Sequence, residues 1–273
     1  MKDVERVTIS KLEGIDPDLF KHEFLLKNRP VIFRDQAYGL SPLSRWDQKY
    51  FCEKWGDFKV PVQVYPPGKH HLPHHKTDRH FKTIKVREFF SHESEKNADG
   101  ESFLLGKLSV DLFPDMEQEY TLPKLVNLRC FAKKVWIYGK GGITALHFDV
   151  VDTFLVQGKG AKKVYFFEPD TLNLYPFSFF SQAPHFSQVV AAQMDVKKFP
   201  RLSKVKIYEG VLEEGEVLYI PFGWWHEMHG LGEMNYGLAF WHYSPLWKNF
   251  RYPLQALRLW NIAIQRRLKN YPI

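Results

Sequence analysis

The chain has 273 residues, 44% of them hydrophobic and 16% aromatic, with a formal net charge of +7. That composition supplies a large core and excludes a disordered or fibrous chain, and no run approaches the ~18 apolar residues of a membrane-crossing helix. The positive charge is spread out, with no run of five basic residues, so it points only weakly to an acidic or polyanionic partner.

The first ten residues are charged and lack the apolar stretch of a secretory signal, which suggests a cytoplasmic protein, with the nucleus left open. Cys52 and Cys130 have no CxxC spacing and read as two inert, reduced core thiols. Asp16-Pro17 is a helix start, and Leu19, Phe20, Phe24 and Leu25 recur on one face before Asn28-Arg29-Pro30 stops it. Val31-Ile32-Phe33 reads as a short buried strand. Ser44 is expected to cap a second helix, with Asp47 at its third position and Gly56 at its end. The alternation of Phe58, Val60, Val62 and Val64 predicts a half-buried strand.

Five of the twelve histidines lie between positions 70 and 80, but Pro73 sits among them and no cysteine or carboxylate pair accompanies them. A mobile, partly cationic loop beside an active-site mouth suits this stretch better than a metal site. Thr83 is placed as the cap of a short helix ending at Phe90. Residues 91–100 read as a polar surface loop, and 102–105 as a strand.

From Ala132 the pattern becomes all-β. Val135 and Ile137 alternate with polar or aromatic neighbours, and Gly139-Lys140-Gly141-Gly142 makes a turn. Residues 147–157 read as one strand, Gly158-Lys159-Gly160 as a hairpin turn, and 162–167 as the returning strand. Residues 170–204 form an aromatic insert. Strands follow at 205–208, 216–220, 224–228 and 236–242. Leu254, Leu257, Asn261, Ile264 and Leu268 mark a C-terminal helix with Arg258, Arg266, Arg267 and Lys269 on its other side. The expected fold is mainly β, a double-stranded β-helix or jelly roll with flanking N- and C-terminal helices. It is read as a single domain over 1–273: an N-terminal extension to about 130, a core from about 131 to 245 and a helix from about 252 to 270.

The chemistry concentrates in His147-Phe148-Asp149. On a strand, residues two apart share a face at ~6.6 Å, so an imidazole and a carboxylate converge on one cation. His226, after the strand 216–220, is the expected third ligand. His229 competes with it but would face the opposite side. Two neutral imidazoles and a carboxylate form the facial triad of non-heme Fe(II) oxygenases, which leaves positions open for a bidentate cosubstrate and O₂. Of Lys162 and Lys163 one should point inward. Val164 and Phe166 make the Lys162 side apolar, and a buried ammonium there needs an anion, such as the distal carboxylate of 2-oxoglutarate. Thr144 can add a hydroxyl to the same carboxylate.

Thr144-x-x-His147-x-Asp149, Gln157-x-Lys159-Gly160-x-Lys162, Tyr208-Glu209, Gly215-Glu216-Val217-Leu218-Tyr219-Ile220-Pro221-x-x-Trp224-Trp225-His226 and Phe240-Trp241 together resemble the JmjC-type (cupin-8-like) 2-oxoglutarate oxygenases. Within that family the likeness is greatest to the small asparaginyl and tRNA-wybutosine hydroxylases, and it spans roughly residues 8 to 245. The resemblance implies Fe(II) on His147, Asp149 and His226, 2-oxoglutarate on Lys162 and Thr144, O₂ as co-substrate, and hydroxylation or demethylation of a protein side chain or a tRNA base. It also suggests a homodimer through the C-terminal helix. The pattern departs from the family at Phe103, near where an aromatic hydroxyl is often found, at Ala239 and at Thr153. An iron cupin that does not use 2-oxoglutarate, or a non-catalytic binding module on the same fold, are the competing readings.

Overall fold

The computed structural model of the chain describes residues 4–14, 16–34, 43, 45–66, 80–95, 100–120, 128–169, 172–181 and 183–268. In chain order these form β1 (Glu5–Thr8), β2 (Lys11–Glu13) and α1 (Pro17–Phe20), which runs into a π-helical turn, Lys21–Leu25. Next come β3 (Val31–Arg34), α2 (Gln48–Trp55), β4 (Lys59–Tyr65), β5 (His80–Lys85), α3 (Val86–Glu95) and β6 (Ser102–Ser109). The centre of the chain is β7 (Cys130–Gly139), β8 (Ile143–His147), β9 (Asp152–Lys159) and β10 (Lys162–Phe167). The last elements are β11 (Lys206–Leu212), β12 (Glu216–Ile220), β13 (Trp225–Gly230), β14 (Met234–His242), α4 (Leu246–Arg251) and α5 (Pro253–Leu268).

The strands build two sheets, in the orders β1-β11-β10-β13-β8 and β2-β3-β12-β9-β14-β7-β6-β4-β5. Packed face to face they make a jelly roll, as the sequence pattern predicts. The central strands of the larger sheet, β12, β9 and β14, are buried on both faces. On one face Phe154, Val156, Val217, Tyr219, Leu238 and Phe240 pack under α2 and α3. On the other, Leu155, Leu218, Ile220 and Ala239 meet Val164, Phe166 and Met228 of the smaller sheet. Strict alternation on β9, β12 and β14 thus assigns every second side chain to the space between the sheets.

Several local expectations change. Asp16 does cap α1, its carboxylate accepting from the Leu19 amide at 2.7 Å. Asp47, however, is the cap of α2 rather than its third residue, because its carboxylate accepts from the Tyr50 amide at 2.8 Å; Ser44 lies outside the described residues. Thr83 sits in β5, paired with Pro61, and α3 starts later and continues to Glu95, so part of the expected 91–100 loop is helical. Of the histidines between 70 and 80, only His80 falls among the described residues, on β5.

The 147–157 strand is two strands, β8 and β9, separated by residues 148–151. Gly158–Gly160 is no hairpin turn: β9 pairs with β12 and β14, and β10 with β11 and β13, so the turn carries the chain from one sheet to the other. In α5 the stripe through Leu254, Leu257 and Ile264 is exposed, while Gln255, Ala256 and Ile262 are buried. Cys52 and Cys130 are free and half-buried, and burial raises both thiol pKa values. Among the described residues no helix is long and apolar enough to cross a membrane.

Candidate metal centre

β8 and β13 are antiparallel neighbours, and their register sets His147 directly opposite His226. Opposed residues share a face, so both imidazoles enter the space between the sheets, with ring centroids 4.3 Å apart. Asp149 follows β8 on the connecting segment instead of on the strand itself. That segment leaves the ladder because the Phe148 amide donates to the His185 carbonyl at 3.1 Å and the Asp149 carbonyl accepts from the Gly223 amide at 2.8 Å. The turn brings an Asp149 Oδ2 to 3.7 Å from His147 Nε2 and 4.0 Å from His226 Nε2.

These spacings are too long for hydrogen bonds. Ligand atoms of the three residues all lie within 4.8 Å of one another, close enough for one ion to reach all of them. The ring orientation is fixed from behind. His147 Nδ1 lies 2.8 Å from the Ala145 carbonyl and His226 Nδ1 3.0 Å from the Trp224 carbonyl. Donation to a carbonyl puts the proton on Nδ1 and leaves the Nε2 lone pair free, which is the second-shell arrangement of metal-bound histidine. Burial, with a lesser push from His147, lowers the His226 pKa to about 3, so its ring is neutral. Burial would raise Asp149, but the proximity of His147, with Lys107 and His226, outweighs it and holds the carboxyl below its usual range. The donor set therefore fits a divalent transition metal.

The triad lines one end of a pocket enclosing about 440 Å³ of atom-free space, mouth included. Lys162 and Thr144 line the same pocket. Lys162 is 1% exposed and faces inward with Val164 and Phe166, while Lys163 turns outward to Glu209 at 2.9 Å. Lys162 reaches the site from β10, with β13 lying between it and β8, so it does not sit on a strand adjacent to His147. Its Nζ donates to Gln157 Oε1 at 2.6 Å and lies 5.2 Å from the Tyr138 ring centre. No carboxylate pairs with it among the described residues. Burial pulls its pKa down to about 7. Gly237 leaves room for it, since a Cβ there would come within 2.8 Å of Nζ.

His229 faces the other side, bonded through Nε2 to Glu227 Oε1 at 2.7 Å. Phe103 stays out of the pocket, stacked on His92 at 3.5 Å. A hydroxyl comes instead from Tyr138, which the sequence reading passed over. It is buried beside Thr144, and its oxygen has no partner at hydrogen-bond geometry. Trp136 and Trp241 also line the pocket. The available signal was the alternation Lys134, Trp136, Tyr138 opposite the core residues Val135 and Ile137.

Residues 17–247 match the cupin-like domain. The tRNA wybutosine-synthesizing protein 5 of Danio rerio is 25% identical over 261 residues, covering 88% of this chain and 77% of that protein. Lysine-specific demethylase 8 of Xenopus tropicalis is 26% identical over 239 residues, covering 85% of this chain but 52% of that protein. The Jumonji C domain-containing protein 5 of Drosophila melanogaster is 23% identical over 245 residues, covering 85% and 59%. The chain thus spans little more than half the length of the last two. With the match extending from α1 to α4 and the jelly roll around the triad, the chain belongs to the cupin-like domain family.

Proposed function

We propose that the chain is an Fe(II)- and 2-oxoglutarate-dependent oxygenase that hydroxylates a macromolecular substrate. The observation that carries this is one pocket holding both an oriented His-Asp-His donor set and a buried ammonium without an anion. When bound, ferrous iron and the oxo acid supply O₂ activation: substrate C–H, O₂ and 2-oxoglutarate become C–OH, succinate and CO₂. The chain's own part is binding, orientation and exclusion of water. His147, Asp149 and His226 hold the metal on one face and leave the other open. Along β10, Lys162 starts about 13 Å from the row of His226, four residues at ~3.3 Å. The side chain covers only part of that distance, and the rest suits a five-carbon diacid whose far carboxylate meets the ammonium, with the Thr144 and Tyr138 hydroxyls beside it. Leu155, Ile220, Met228 and Ala239 give the pocket apolar walls that keep it dry. The family relatives named for a tRNA and for lysine demethylation support a macromolecular substrate.

His147→Ala removes one ligand and is expected to abolish tight binding of Fe(II), read with Mn(II) as a redox-inert probe by calorimetry, while His229→Ala leaves it unchanged. Succinate release that depends on candidate substrate tests the reaction. Iron-loaded protein that forms none with any substrate counts against it.

The exposed apolar row Leu246, Phe250, Leu257, Trp260 and Ile264 on α4 and α5 fits burial against a second copy of the chain. Trp260→Glu is then expected to convert a dimer to a monomer in light scattering without lowering the melting temperature of the fold. A wild-type chain that is monomeric at micromolar concentration would sink the dimer.

A further inference from the structure

β7, which lines the pocket through Trp136 and Tyr138, and its neighbour β6 each carry a β-bulge, and each bulge re-aims a side chain. Between β14 and β7 the register slips where Trp241 opposes Ala132 and His242 opposes Cys130, so Phe131 is the extra residue. Between β6 and β7 it slips between Leu105 and Leu108, where Lys107 sits at φ 59. An extra residue breaks the in-out alternation and redirects its side chain, and bulges concentrate beside active sites. A left-handed lysine is a strained choice where glycine would be relaxed, and such strain persists where function holds it.

The two re-aimed side chains meet at Trp241, which lines the pocket with the triad. Phe131 lies 6.5 Å from Trp241 and 4.4 Å from Tyr243, the second pair inclined by 34°. Phe131 is 41% exposed and Tyr243 55%. Lys107 Nζ sits 5.6 Å from the Trp241 ring centre and the Arg129 guanidinium 5.9 Å from that of Tyr243. Lys134 opposes Ala239, a pocket-lining residue, and shares its face. None of Lys107, Arg129 and Lys134 has an ion pair among the described residues, unlike Lys133 and Lys163, which are paired with Glu117 and Glu209.

Solvent-facing rings in a row with unpaired cations among them match a nucleobase stacked between phosphates: each ring offers a π-face and each cation a phosphate contact. An acidic peptide would use the cations and leave the rings exposed. We infer that the Phe131–Trp241–Tyr243 platform seats an unpaired nucleobase with its flanking phosphates, and that the substrate at this site is a single-stranded or looped nucleic acid. The assignment of a substrate rests on the oxygenase reading; the platform itself does not need the metal.

Fluorescence anisotropy of the metal-free full chain with a labelled single-stranded RNA dodecamer tests it. A DNA dodecamer, an RNA duplex of equal charge and a polyglutamate peptide serve as competitors. The RNA is expected to bind, with affinity falling linearly in log salt. Phe131→Ala and Tyr243→Ala should each weaken it about fivefold or more at unchanged salt slope, and Arg129→Ala should reduce the slope by about one. Lys107→Gly should bind more weakly yet melt no lower than the parent, which separates binding from folding. Competition by the DNA dodecamer as strong as by RNA assigns the contacts to base and phosphate rather than to the ribose, and stronger RNA competition adds the ribose hydroxyl; both support the platform. Binding unaffected by the combined Phe131→Ala and Tyr243→Ala changes, duplex competing as well as single strand, or polyglutamate displacing RNA at equal affinity would each overturn the inference. RNA binding with no succinate from any RNA would leave the platform but overturn the nucleic-acid substrate, and the oxygenase reading falls with it only if protein substrates also release none.

Discussion

Lys162→Met is expected to abolish 2-oxoglutarate binding and, at the same time, to stabilise the fold near neutral pH. The ammonium is 1% exposed and burial has brought its pKa from 10.5 to about 7. Between those values the unfolded chain carries a proton that the folded chain has lost. Stability therefore rises with pH across that window and has fallen by its full amount once the pH drops below about 7. At 1.36 kcal/mol per unit, the burial costs about 3–5 kcal/mol. Methionine fills a similar volume without the charge. It strands Gln157 Oε1, which loses its 2.6 Å donor, and an unsatisfied buried amide costs about 1–3 kcal/mol. The balance is a net gain of about 0–4 kcal/mol at and below pH 7, which shrinks as the pH rises and gives way towards pH 10 to the loss of the Gln157 bond alone, about 1–3 kcal/mol. Without the cation, the far carboxylate of the diacid would enter an apolar pocket unpaired, and affinity is expected to fall more than 100-fold, a loss of about 3 kcal/mol. Calorimetric titration of the Mn(II)-loaded protein with 2-oxoglutarate, together with melting curves from pH 6 to 10, reads both effects. Retained affinity would show that another group receives the carboxylate, and a lower melting temperature at pH 7 would show that the lysine is structural.

The triad was legible because its residue types are informative, although only His147 and Asp149 are local and His226 comes from a distant strand. His226 could be preferred over His229 by strand alternation, and the two rings do face opposite sides, His226 into the pocket and His229 onto Glu227. Asp149 came out beside His147 by a different geometry from the one expected. Period-two spacing cannot tell where a strand ends, and this one ends at His147 because the Phe148 amide donates to the His185 carbonyl and the Asp149 carbonyl accepts from the Gly223 amide. The Gly158–Gly160 turn looked like a hairpin because turn chemistry is local, whereas the choice of sheet is made by distant strands such as β12 and β13. Tyr138 was missed since a tyrosine among alternating core residues carries no mark of an unsatisfied hydroxyl. Lys107 and Phe131 were missed since a bulge has no signature without its partner strand. The outward stripe of α5 shows the same limit, because a helical period gives a face but not what the face meets.

Lys248 is the clearest case of function hidden by sequence distance, and replacing it is expected to cause the largest loss of stability. Nothing local to Lys248 marks it as buried, yet Lys248 and Asp152, 96 positions apart, are both 0% exposed and paired at 2.6 Å. The same Asp152 Oδ1 accepts from the Tyr219 hydroxyl at 2.6 Å and from the Phe222 amide at 3.3 Å. Burial lowers the lysine pKa against the opposing pull of Asp152. Lys248→Met leaves the aspartate charged and unpaired in the core, which costs about 3–5 kcal/mol, or a fall of roughly 6–20 °C in melting temperature for a chain of this size. Adding Asp152→Asn to Lys248→Met should recover part of that loss, because the uncompensated charge is gone; a double-mutant cycle isolates the coupling. The effect should also reach the metal centre. Asp152 anchors the far end of the turn that carries Asp149, and Phe222 and Gly223, tied to Asp152 and to the Asp149 carbonyl, lead directly into His226. One buried oxygen thus holds both ligand-bearing segments in register with α4. Mn(II) affinity should therefore fall in Lys248→Met measured below its melting transition, and recover partly in the double variant. Unchanged metal affinity in a destabilised Lys248→Met protein would confine the network to the fold and leave the ligand segments positioned by their backbone bonds alone.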